Sequence, residues 1–139
     1  MDNNDKIAHL KMIQGIVSRV ETNSFTLKAL TMGLSTALLA FIGTIERPTW
    51  IYSAAGCLPI IVFWIMDANY LRLGRMFRQL YDAVRLGEVS EPFTMNYSQY
   101  ATRVQSTPRI AVSWSVFWFY LVILLTFALV TVYVIVSQK

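Results

Sequence analysis

Residues 50–86, WIYSAAGCLPIIVFWIMDANYLRLGRMFRQLYDAVRL, decide the fold, because one uninterrupted stretch changes character at Asp67. From Trp50 to Met66 it is almost wholly apolar, with Trp50 and Trp64 near its ends, where indole rings favour a membrane interface. From Asp67 to Leu86 no proline or turn cluster interrupts it, and the pattern becomes amphipathic. At 100° per residue, Met66, Tyr70, Leu73, Met76, Phe77, Leu80, Tyr81 and Val84 share one side. Arg72, Arg75, Arg78, Gln79, Asp82 and Arg85 share the other. A span (50–66) therefore leaves the bilayer as an arginine-rich helix (67–86), with Gly74 its weak point and Gly87 its stop. Pro59, inside the span, frees a carbonyl and reads as a structural bend or hinge.

Working outward, Thr44 to Thr49 is a tight loop set by Pro48, and before it lies a second apolar block, 27–43. At ~1.5 Å per residue that block covers about 26 Å, near the lower limit for a crossing. Ala29, Gly33 and Ala37 recur at every fourth position, a smooth stripe on which another helix can approach closely. Thr31 and Ser35 form a thin polar line whose hydroxyls are expected to bond within their own helix, and Lys28 is expected to snorkel towards headgroups. Residues 5–26 place Leu10, Ile13, Ile16, Val17 and Val20 opposite Lys11, Gln14, Ser18, Arg19 and Thr22, an amphipathic helix expected to pack on a partner. The polar start, Met1-Asp2-Asn3-Asn4-Asp5, is wrong for a cleavable signal peptide, so the first span is expected to be retained.

Beyond Gly87, residues 87–109 read as a connector with helix only around Tyr97–Val104. A third block, 110–136, carries no charge and is long enough to span with tilt; Trp114, Trp118 and Tyr133 suit its interfaces. The fold class is thus an all-α integral membrane protein with three transmembrane helices, an N-terminal amphipathic helix and a cytoplasmic extension of the second span. With 139 residues, 55% of them hydrophobic and 14% charged, the chain is a single membrane unit with no room for a multidomain enzyme. The lone Cys57 excludes an intrachain disulfide and a thiolate cluster.

The net charge of +4 reports orientation first; a nucleic-acid partner is not favoured. Lys6, Lys11, Arg19, Lys28 and six arginines between 67 and 109 fall on one side, against Arg47 and Lys139 on the other. The expected N-terminus is cytoplasmic and the C-terminus external. Both amphipathic helices then lie under one face, their apolar sides covering each other. The arginines Arg72, Arg75, Arg78 and Arg85 would point outward to lipid headgroups, a subunit, or an anionic ligand such as a nucleotide signal, with local pairs Arg78–Asp82 and Asp82–Arg85.

No chemistry-bearing constellation emerges. His9 is the sole histidine and reads as a surface residue; the acidic residues show no paired spacing, and no glycine-rich phosphate loop exists. No enzyme, cofactor or metal is implied. Asp67, at the inner boundary, is expected to be hydrated, capped by backbone donors, or paired with an arginine such as Arg72 from a neighbour. Three helices cannot surround an aqueous path alone, so conduction would need a homo-oligomer built on Ala29, Gly33 and Ala37 and on the aromatic surface of Trp114, Phe117, Trp118 and Tyr120.

Four segments, His9–Arg19, Asn23–Lys28, Phe63–Leu71 and Met76–Arg85, resemble a group of small bacterial inner-membrane proteins, most of them without an assigned role. The phenylalanine-tryptophan to aspartate junction and the leucine-tyrosine-aspartate stretch are the most specific parts. Members of that group often carry Glu where this chain has Gly74. More loosely, the layout is similar to transmembrane effectors of bacterial antiviral systems, which implies a protein that opens or disrupts the membrane after a cytoplasmic signal. The alternative is a non-conducting adaptor that recruits a soluble partner through its basic face.

Overall fold

A computed structural model describes residues 2–89 and 91–137. All regular structure among them is helical. Helix α1 (Asn3–Thr44) opens at Asp2, whose carboxylate accepts from the Asn3 amide at 2.7 Å, with Asp5 in its first turn favoured by the positive end of the helix dipole. It runs unbroken for 42 residues, about 63 Å at ~1.5 Å per residue. The segments read separately as 5–26 and 27–43 are therefore one rod: nothing between Thr22 and Leu27 supplies a breaker.

Helix α2 (Trp50–Leu86) returns antiparallel and passes through Pro59. It ends where Gly87 takes φ +80, a left-handed conformation that costs a Cβ-free residue little. The amides of Gly87 and Glu88 close that end on the carbonyls of Val84 (3.1 Å) and Ala83 (2.9 Å), leaving the last turn satisfied. A 3-10 turn (Ser98–Tyr100) lies within the segment expected to contain helix around Tyr97–Val104. Helix α3 (Thr107–Ala111) then begins with Pro108 in its first turn, and α4 (Trp114–Ser137) completes the chain. The third apolar block is thus split. Val112, at φ −89 and ψ 7, leaves the helical region, so Ile110 belongs to α3 and the third span starts at Trp114.

α1, α2 and α4 are each long and apolar enough to cross a membrane, which makes this an all-α multi-pass membrane protein. α2 is the middle element, packed by α1 along much of its length and by α4 along its apolar half. Two cores result. In the apolar half, Ile42, Ile60, Val116, Tyr120, Ile123 and Phe127 interlock. Gly56 permits the close α2–α4 approach there, since a Cβ would fall 2.5 Å from the Phe127 ring. At the polar end, Ile13 meets Phe77, Leu80, Ala83 and Val84 under Tyr100, so the apolar sides of the two amphipathic segments do cover each other. Gly74 is buried at that junction, facing Val20 of α1; the expected weak point is a packing position.

Candidate functional site at the junction of the spans

Where the two cores meet, the sequence places polar side chains that an apolar layer tolerates only when paired. Ser24, Lys28 and Thr31 follow one another on the inner face of α1 at helical spacing, and Asp67 faces them from α2. Asp67 is fully buried and Lys28 retains 23% of its side-chain exposure. Lys28 Nζ lies 2.6 Å from Asp67 Oδ2, the Ser24 hydroxyl donates to Asp67 Oδ1, and Lys28 Nζ also donates to Ser24 Oγ at 3.1 Å. Both carboxylate oxygens are thus engaged in a closed triangle that ties α1 to α2.

This corrects two expectations. Lys28 turns inward to the carboxylate, because a buried anion within reach of its Nζ is a stronger attraction than distant headgroups. Asp67 is partnered within its own chain, by Lys28, and is neither hydrated at the boundary nor capped by backbone donors among the described residues. The Arg72 guanidinium reaches the Ala101 carbonyl of the connector at 3.4 Å, with its Nε buried.

α4 closes the third side of the cluster. Tyr120 is fully buried, donates to the Phe63 carbonyl at 3.4 Å, and has Asp67 and Thr31 within electrostatic reach. The Trp64 ring stacks on it, 5.9 Å between centroids and 9° from parallel, while Trp64 Nε1 donates to the Ala111 carbonyl at 3.0 Å. That bond pins the break between α3 and α4 to α2. Thr31 bonds to its own helix at Leu27 (2.7 Å) as expected; the buried Ser35 hydroxyl has no such partner among the described residues. Pro59 is half-buried within the α2 span, two turns before Asp67.

The residues proposed for subunit packing lie elsewhere. Ala29, Gly33 and Ala37 face away from α2, and a Cβ on Gly33 would meet nothing within 4 Å. Trp114 and Trp118 are exposed and sit edge to face, 5.5 Å apart. Phe117 and Tyr120 do not share that surface: Phe117 is half-buried beside Trp64, and Tyr120 is in the core.

At the polar end, the arginines are already engaged. Arg75 donates to Gln105 Oε1 at 3.1 Å, Arg78 pairs with Glu21 of α1, and Arg85 pairs with Asp82 at 3.5 Å. The Arg85–Asp82 pair matches the sequence reading. Arg78 instead bridges between helices, because the packing of α1 on α2 brings Glu21 beside it. Arg103, absent from the sequence candidates, lies 5.5 Å over the Tyr100 ring.

His9 is likewise not a surface residue. It is fully buried, and its Nε2 lies 2.8 Å from the Thr94 carbonyl. A carbonyl only accepts, so Nε2 carries the proton. Phe93, the one described non-glycine residue with positive φ (60°), packs its ring 5.9 Å from His9, so the imidazole holds a strained connector against α1. Among the described residues no three His, Cys, Asp or Glu side chains converge as a metal site. Lys139 lies outside the described residues. Compared with family models, curated proteins and solved structures, the chain shows no match.

Proposed function

We propose that this chain is a homo-oligomeric protein of a bacterial inner membrane that permeabilises the membrane in response to a cytoplasmic signal. Its N-terminus and arginine-rich end lie in the cytoplasm and its C-terminus outside, on the strength of the lysine and arginine asymmetry. The carrying observation is the buried Ser24–Lys28–Asp67 triangle, at the level where the polar bundle meets the spans. α1 and α2 each run through both layers as single helices, so a shift of one against the other at the polar end is carried directly to the spans. A buried ion pair adds little net stability compared with an apolar replacement, but it strongly penalises states in which one charge loses its partner. It therefore suits a latch with a closed and an open arrangement, with Pro59 as the point where α2 can bend.

Three spans do not enclose a path, and no more than 28% of the most apolar window of any span is buried within the chain. Lipid and further copies cover the rest, with Ala29, Gly33 and Ala37 offering close approach and Trp114 and Trp118 a flanking aromatic contact. The layout shared with transmembrane antiviral effectors suggests defence as the setting.

The test is ion flux from proteoliposomes. Wild type should be quiet until a cytosolic signal is added, and Lys28→Met should leak without it. Vesicles that stay ion-tight at every protein density, with or without cytosolic extract and in both forms, would overturn this reading. They would leave the adaptor alternative, tested by loss of partner pull-down on charge reversal at Arg72, Arg75, Arg78 and Arg85.

A further inference from the structure

We infer that Arg75, Arg78 and Arg103, with Gln79 and Gln105, form a binding site for a phosphate-bearing anion at the polar end. These residues and Val104 line a cavity of about 230 Å³ between α2 and the connector. Of the three guanidiniums only that of Arg78 has a carboxylate in ion-pair contact among the described residues, Glu21, so two arginines are left without a direct anionic partner. That matches the −1.5 to −2 charge of a phosphate monoester near pH 7. Guanidinium forks take phosphate oxygens in pairs, and carboxamide NH2 groups supply further donors.

The site is partly preorganised. Arg75 is half-buried and held by Gln105 Oε1 at 3.1 Å, an arrangement that leaves the Gln105 amide nitrogen free to donate. Arg103 rests on the buried Tyr100 ring and has no carboxylate partner among the described residues. It also borders a second cavity, of about 440 Å³, with Glu88 and Glu91, so an anion beside Arg75 competes with those carboxylates for its position. Arg85, paired with Asp82, does not line the cavity, and neither does Arg72.

This deepens the proposed function by giving its signal a chemistry, and it rests on that reading for its consequence. Glu21 lies one turn before Ser24 on α1, and Gln105 belongs to the connector that leads into α3. An anion drawn between Arg78 and Arg103 would compete with the Glu21 pair and pull on the connector, two links that hold α1, α2 and α4 in register.

The test is a thermal-shift titration of the full chain in a neutral detergent, with adenosine monophosphate as the soluble probe, alongside nanodiscs of phosphatidylcholine with or without phosphatidic acid. Either phosphate source should raise the melting temperature. Arg75→Gln and Arg103→Gln should each weaken the apparent affinity about tenfold, as expected for one charge-assisted contact. Arg85→Gln should leave it unchanged. A response to adenosine monophosphate assigns the site to soluble phosphate esters, and one confined to phosphatidic acid assigns it to a lipid headgroup. No response to either, or equal weakening by Arg85→Gln, overturns the site. Binding is read without any leak, so tight vesicles with intact binding would remove the effector reading alone, and leaky vesicles without binding would remove only this site.

Discussion

Replacing Lys28 by Met should damage the protein more than replacing Asp67 by Asn, although both changes break the same ion pair. In Lys28→Met the Asp67 carboxylate remains fully buried, with the Ser24 hydroxyl as the one donor left in the triangle. A stranded buried charge of this kind costs about 3–5 kcal/mol. In Asp67→Asn the stranded group is the Lys28 ammonium, whose side chain keeps 23% exposure and can extend along its stem towards water. The amide oxygen still accepts from Ser24, so the loss should be about 1–2 kcal/mol, the scale of one or two hydrogen bonds. Combining the changes removes the stranded carboxylate, and the double variant should sit near Asp67→Asn, giving a coupling about as large as the whole Lys28→Met loss, about 3–5 kcal/mol. Equilibrium unfolding in mixed detergent micelles, followed by tryptophan fluorescence, measures all four corners, with Trp64 close to the site. Equal losses in the two single variants, or strict additivity in the double, would refute the argument by showing the carboxylate to be hydrated.

Gly56→Ala should lower stability by about 1–3 kcal/mol, because its Cβ would meet the buried Phe127 ring at 2.5 Å; Phe127→Leu in the same chain should restore most of the loss in detergent thermal melts. Gly33→Leu should leave the monomer's melting unchanged, since that position faces open space, yet reduce the cross-linked oligomer ladder; an unchanged ladder would remove Gly33 from the subunit contact. His9→Ala should release the connector, and a lost hydrogen bond of about 1 kcal/mol corresponds to roughly fivefold faster proteolysis between residues 91 and 97. In a Cys57→Ala background, an impermeant maleimide added to intact spheroplasts should label Ser137→Cys and spare Asn4→Cys; labelling of both or neither would contradict an odd number of crossings.

The three spans and the two amphipathic faces are legible in the chain itself, because burial of an apolar stripe is a local requirement written in residue spacing. Ile13, Phe77, Leu80 and Val84 stand where periodicity puts them. So does the change at Asp67, where an apolar run gives way to an arginine helix that continues without a break. Periodicity says which side of a helix is greasy, but not how far one helix slides or turns against its neighbour. That offset decides every polar pairing at the junction and above it: Lys28 finds Asp67 across 39 positions, Arg78 finds Glu21 across 57, and His9 finds Thr94 across 85. Charge counting alone sends Lys28 and Arg78 outward and leaves His9 at the surface. Close packing fixes the register, and side chains bond to what that register brings within reach, so the buried ion pair and the arginine cavity exist only in the folded protein.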